Sequence, residues 1–67
     1  MSVARITEIS AESSEGFEAA IKEGIDRANQ TLRNVRRAWV ENQIVEIENG
    51  KPTIYRVHMK VTFVLDA

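Results

Sequence analysis

The chain has 67 residues, a net charge of −1 from 9 basic and 10 acidic side chains, no cysteine and one histidine. A chain this short rarely draws more than ~3–5 kcal/mol from its own core, and the residue counts exclude disulfides, thiolate metal sites and a multi-His metal centre within one chain. The mixed charge excludes the basic patch of a nucleic-acid binder, no apolar run approaches the ~18 residues of a membrane span, and Met1-Ser2-Val3-Ala4-Arg5 lacks a signal peptide's apolar stretch, so the expectation is a soluble cytoplasmic protein, one domain over residues 1–67, that gains stability by association with its own copies.

Val3 to Ile9 is rich in Val, Ile and Thr and predicts a first strand. Its phase is ambiguous, because Ile6 and Ile9 cannot share a face of a period-two element. Ser10 to Ser13 reads as a polar loop, with Ser13 as an N-cap and Glu15 in the first turn of a helix. Phe17, Ala20, Ile21, Gly24, Ile25, Ala28 and Leu32 then recur at helical spacing, with Glu18, Lys22, Glu23, Asp26, Arg27, Gln30 and Arg33 opposite them. The spacing predicts an amphipathic helix of roughly 30 Å, supported by the i,i+4 pairs Glu18–Lys22 and Glu23–Arg27. Gly24 on the apolar face costs about 1 kcal/mol against Ala, which implies close approach of helix to sheet.

Val35 to Glu48 predicts a second strand, and Asn49-Gly50 is a strong hairpin signal. In the last strand Tyr55, Val57, Met59, Val61, Phe63 and Leu65 alternate with Arg56, His58, Lys60 and Thr62, so one face belongs to a core and the other is polar. A two-residue turn sets Glu48 opposite Lys51. The register then pairs Ile44 with Tyr55, Val40 with Met59 and Ala38 with Val61 on the apolar face. The polar face pairs Gln43 with Arg56, Glu41 with His58, Trp39 with Lys60 and Arg37 with Thr62. Pro52 lacks a donor and can lengthen the turn or introduce a bulge. Arg36 and Arg37, adjacent in a strand, are expected on opposite faces. The predicted fold is α+β, in the order β-α-β-β: a three-stranded antiparallel sheet of order 1-3-2 wrapped on one helix, with two open edges that invite pairing.

Taken in order and spacing, Arg5-Ile6-Thr7-Glu8-Ile9, Ser13 to Ile21, Arg27-Ala28 with Thr31-Leu32-Arg33, and Tyr55 to Phe63 resemble the dodecins, small flavin-binding proteins. The resemblance covers nearly the whole chain. It implies a hollow homododecamer that binds or stores a small ligand, with flavins (FMN, riboflavin or FAD) held in pairs near two-fold axes. In the family a tryptophan of strand two stacks on the isoalloxazine and a glutamine of strand three hydrogen-bonds its edge. Here Arg37-Ala38-Trp39-Val40 stands where the family has Trp-Phe-Glu-Val, Arg56 stands at the glutamine, and Thr62 replaces a glycine. Tyr55-Arg56 is similar to the branch called calcium dodecins. The departures imply weak flavin binding, and the alternative is a flavin-free shell of the same fold, holding cations or anions at subunit contacts.

The candidate cofactor-binding residues are therefore Arg37, Trp39, Arg56 and His58. Trp39 is a displaced stacking platform or, more plainly, a residue packed at a subunit interface. Arg56 can fork onto a phosphate or carboxylate or stack on an aromatic ring, and the plainer reading of Arg37 and Arg56 is an inter-subunit salt bridge to Glu41, Glu46 or Glu48. His58 opposite Glu41 reads as a proton shuttle, a member of a symmetric metal site, or an ordinary cross-strand pair. No metal site is assigned, and Glu15, Glu23 and Asp26 read as a solvated helix face. The chain shows no catalytic constellation, and the expectation is a binding protein rather than an enzyme. Its expected partners are its own copies and a small molecule, with neither nucleic acid nor membrane.

Overall fold

The computed structural model describes residues 3–65; Met1, Ser2, Asp66 and Ala67 lie outside them, and with them the first two residues of the segment Met1 to Arg5, read above as lacking a signal peptide's apolar stretch. The elements run β1 (Ala4–Ser13), α1 (Phe17–Thr31), β2 (Val35–Glu48) and β3 (Lys51–Val64). They form one antiparallel sheet of order β1-β3-β2, as the sequence predicts.

The first strand is longer than its composition suggests. Ser10 to Ser13, expected as a loop, continues β1, because β3 extends far enough to pair with all of it: Ser10 lies opposite His58 and Ser13 opposite Tyr55. The helix consequently starts later. Gly16, not Ser13, occupies the N-cap position, and the Ser13 hydroxyl instead accepts a hydrogen bond from the Glu15 N–H at 3.0 Å. At 15 residues the helix is about 22 Å long rather than 30. The ambiguous phase of β1 resolves by pairing. Ile9 lies opposite Met59 and joins the core, whereas Ile6 lies opposite Thr62 on the outer face and is exposed.

The core is small. Ala20, Ala28, Val57, Met59 and Val61 are buried, and Ile9, Ala11, Phe17, Ile21, Ala38 and Val40 pack around them. Ile25 and Leu32 are half-buried outside that cluster. Helix and sheet approach closely at Gly24, where an added Cβ would lie 2.7 Å from the Met59 Cε and 3.0 Å from the Ala11 Cβ. That approach explains the glycine on the apolar face. Phe17 closes the end of the layer edge-on to Tyr55, with ring centroids 5.2 Å apart.

The hairpin turns at Asn49-Gly50, both with positive φ (52° and 77°), as the tight turn requires. Its register holds at Glu48–Lys51, Val40–Met59, Trp39–Lys60, Ala38–Val61 and Arg37–Thr62. Between these stretches it departs from the regular pattern. Thr53 is an extra residue on β3, with its hydroxyl donating to the Glu46 carbonyl at 3.1 Å, and Glu41 is an extra residue on β2. Pro52, which cannot donate to the ladder, borders the first irregularity. Within the window Ile44 lies opposite Arg56, Gln43 opposite Val57 and Asn42 opposite His58. The expected pairs Ile44–Tyr55, Gln43–Arg56 and Glu41–His58 are thus each displaced by one residue, and Ile44 moves to the outer face. A one-residue slip reverses every side chain it includes.

A third bulge lies at the start of β2, where Val35 faces Phe63, Arg37 faces Thr62, and Arg36 is the extra residue between them. Val35 points toward the helix side and Arg37 away from it. Arg36 has no partner in the ladder, and both arginines are exposed. The preceding turn is held by Asn34 at φ 59°, whose side-chain amide donates to the Val64 carbonyl at 3.3 Å.

Candidate functional site

The outer face of the sheet carries the four candidate residues, each placed by pairing with β3. Arg37 lies beside Thr62, Trp39 beside Lys60, Asn42 beside His58 and Ile44 beside Arg56. On the other side of β3, Ile6, Glu8, Ser10 and Glu12 complete the rows. Successive rows are about 6.6 Å apart. Arg37 and Trp39 are therefore neighbours, whereas Trp39 and Arg56 are separated by roughly 13 Å along the sheet. His58 sits between them, half-buried, flanked by Asn42 and Ser10 rather than by Glu41.

Arg56 is held on both sides. Its Nε donates to the Glu12 carboxylate at 2.7 Å, Nη2 lies 2.6 Å from the same oxygen, and Nη2 also lies 2.7 Å from Glu46 Oε2. The pKa of Arg56 is raised, first by the Glu12 hydrogen bond and then by the charges of Glu12 and Glu46. The guanidinium ties the two edge strands together across β3. Glu46 is among the carboxylates expected to pair with Arg56 between subunits, but here the pair forms within one chain. Glu12 is not, because it falls in the segment that reads as loop; a longer first strand is the signal that would have found it.

Trp39 is 61% exposed, and one side of its indole is occupied. Lys60 Nζ sits 5.4 Å from the ring centroid, a cation–π contact, and lies 3.4 Å from Glu41 Oε2. The bulge at Glu41 brings this carboxylate to the outer face, where it meets Lys60 instead of His58. Lys60 enters the site as a residue that alternation placed on the polar face without assigning it a role.

A cleft of about 720 Å³ lies between the helix and β1, with Glu23, Asp26 and Arg27 at its rim and Ile9, Gly24 and Ala28 in its wall. None of the four candidate residues lines it. Among the described residues no group of three or more His, Cys, Asp or Glu is arranged to hold a metal ion. No helix among them is long and apolar enough to cross a membrane.

The dodecin family profile matches residues 3–66. A dodecin from Streptomyces davaonensis is 38% identical, covers 98% of this chain and 97% of its own, and has a TM-score of 0.93. The dodecin of Streptomyces coelicolor is 30% identical over 98% of this chain and 94% of its own, with a TM-score of 0.92. Calcium dodecin of Mycobacterium tuberculosis, described as a calcium-chelating antigen with a novel calcium-binding site, is 28% identical over 96% of this chain and 91% of its own, with a TM-score of 0.82. No curated protein sequence matches the chain. With a family profile spanning almost every residue and a β-α-β-β fold superposing on solved dodecins, the chain belongs to the dodecin family.

Proposed function

We propose that the chain is a single dodecin domain over residues 1–67 that assembles into a hollow homododecamer and binds a small planar ligand weakly on the outer sheet face. Family membership supports a small-ligand-binding assembly. We assign the ring platform to Trp39, with Arg37 beside it and His58 and Arg56 further along the same face. The observation that carries the weakness is the pair of carboxylates on Arg56. A glutamine at that position would offer the flavin edge both a donor and an acceptor. Arg56 offers donors only, and Nε and Nη2 are already engaged. The ring's imide N–H is left without an acceptor, which costs about 1–3 kcal/mol. Arg37 at the stacking position gives less apolar area than tryptophan. Each ~1.4 kcal/mol is a tenfold loss, so the two changes together weaken flavin binding by roughly two orders of magnitude.

The test is a titration of the assembled protein with riboflavin, FMN and FAD, followed by flavin and tryptophan fluorescence. Riboflavin is expected to bind at micromolar concentration or weaker, and Trp39→Ala should remove that binding. Nanomolar riboflavin affinity would overturn the weak-binding reading. No binding of any flavin would leave the flavin-free shell, which the Glu12–Arg56–Glu46 arrangement also favours because it uses Arg56 structurally. Binding rather than catalysis is the role we assign to the face.

A further inference from the structure

The hairpin tip is held by two strands alone. β1 reaches no further than Ser13, opposite Tyr55, so the rows beyond Val45–Tyr55 belong to β2 and β3 only. Within them Pro52 has no N–H to give the ladder, and Thr53 is the extra residue that interrupts the register. At the end sit Asn49 and Gly50, both exposed and both at positive φ. Nothing lies within 4 Å of where a Gly50 Cβ would stand. Among the described residues the Asn49 side chain makes no hydrogen bond. The other asparagines differ. Asn29 is followed by Gln30 inside the helix and Asn42 by Gln43 inside β2. Asn34, followed by the β-branched Val35, donates its amide to the Val64 carbonyl.

From this we infer that Asn49-Gly50 is a site of spontaneous covalent modification, at which Asn49 loses its amide and the hairpin tip is rebuilt with an aspartyl or isoaspartyl link. The reaction consumes only water. The Gly50 backbone nitrogen attacks Cγ of Asn49 and the new N–C bond closes a five-membered succinimide. The side-chain amino group leaves as ammonia, which carries off the proton that the Gly50 nitrogen gives up. Water then opens the ring. Attack at Cγ leaves aspartate in an unaltered backbone. Attack at the Asn49 backbone carbonyl carbon leaves isoaspartate, with the chain running through the side-chain carbons. No oxidant or reductant takes part. Glycine hinders the attacking nitrogen least, and it is also the residue that the turn demands. The closed turn restrains the reaction, because the Gly50 nitrogen reaches Cγ only when the Asn49 backbone leaves the left-handed region. The rate is therefore set by how often the tip opens, and a bulged, two-stranded end opens readily. The two products differ in consequence. Aspartate suits this turn as asparagine does. Isoaspartate adds a carbon to the backbone, so a two-residue turn no longer sets Glu48 opposite Lys51.

The test incubates the folded full chain in mildly alkaline buffer and follows each asparagine by peptide mass spectrometry. The mass gain of an amide turning into an acid is expected at Asn49 and not at Asn29, Asn34 or Asn42. It should be split between aspartyl and isoaspartyl forms and should quicken as pH rises, because the attacking nitrogen must lose its proton. The chain unfolded in denaturant should convert several-fold faster than the folded one. Asn49→Gly keeps residues that favour the turn and should show no gain. The isoaspartyl fraction, separated by chromatography, should unfold at a lower denaturant midpoint than the aspartyl fraction. A folded chain that stays unmodified while the unfolded chain converts overturns the inference, since the tip then never opens. Equal conversion at the other asparagines, or a gain that survives in Asn49→Gly, overturns the assignment of the site. Equal midpoints of the two fractions refute the effect of isoaspartate on the turn.

Discussion

Gly24 shows how a single residue fixes the spacing between the two layers. A methyl group there would sit 2.7 Å from the Met59 Cε, 3.0 Å from the Ala11 Cβ and 3.6 Å from the Ile9 Cδ1. The Met59 tip can turn aside, but it is buried among Ala20 and Val57, and the Ala11 Cβ is fixed to its strand. Alanine in the helix would gain about 1 kcal/mol in propensity, and overpacking costs about 1–3 kcal/mol. Gly24→Ala is therefore expected to lower stability by a net of roughly 1 kcal/mol, read from the denaturant midpoint; a rise in the midpoint would show that helix and sheet separate freely. Arg56 calls for the opposite expectation. Its ion pairs are short but solvent-exposed, so Glu12→Gln should cost under ~1 kcal/mol. A double-mutant cycle with Arg56→Gln measures that coupling, and a value well above it would mean that assembly buries the clamp. Both residues illustrate what the sequence tells and what it withholds. Gly24 on an apolar helical face already implies close packing. Glu12 looks like a loop residue, because nothing in Ala11-Glu12-Ser13 has strand propensity and only pairing with Arg56 and its neighbours makes it one.

At the scale of elements, β3 organises everything else. Its period-two pattern alone identifies the buried face, and Val57, Met59 and Val61 are indeed buried. The same pattern assigns Lys60 to the outer face, where it meets Trp39 and Glu41. Val61→Asp puts a charge into a site without a partner, and is expected to abolish soluble folded protein by circular dichroism. Lys60→Ala removes an exposed ion pair and one cation–π contact, together about 1 kcal/mol, and should leave a folded protein with an altered Trp39 emission. Reversed outcomes for the two variants would mean that the faces are assigned the wrong way round. The bulges of β2 and β3 were legible only as a caution at Pro52. A bulge arises where twist and local hydrogen bonding favour one extra residue, such as Thr53 donating to the Glu46 carbonyl, and side-chain alternation carries no record of it. Two bulges on opposite strands cancel in register beyond Glu41. Alternation therefore predicts both ends of the hairpin correctly and its middle wrongly, and the face that gathers the candidate site is the one most affected.

The molecule as a whole is larger than its core. It extends over 52 × 19 × 13 Å, and a 15-residue helix spans only part of two 14-residue strands. Ile44 is exposed on the outer face and Val45, opposite Tyr55, on the inner one, in the last rows that β1 reaches; beyond them the hairpin stands alone, with Ile47 exposed. A two-stranded ribbon is at best marginally stable in water. Covering Ile44, Val45, Ile47 and Trp39 is worth on the order of 1.5–3 kcal/mol each when burial is complete, comparable in sum to what so small a domain obtains by itself. Association is therefore expected to be part of folding, and light scattering at micromolar concentration should give a mass of roughly twelve chains, a closed symmetric assembly. Val45→Asp tests the origin of that stability. It lies outside the central core cluster and more than one row from Trp39, so a folded monomer would tolerate it. In an assembly that covers the hairpin it places an unpaired carboxylate in an apolar contact, and the mass should fall to small species with loss of helical signal. If Val45→Asp keeps both the mass and the thermal midpoint of the unmodified chain, the hairpin stays in solvent and the stability of the fold has another source.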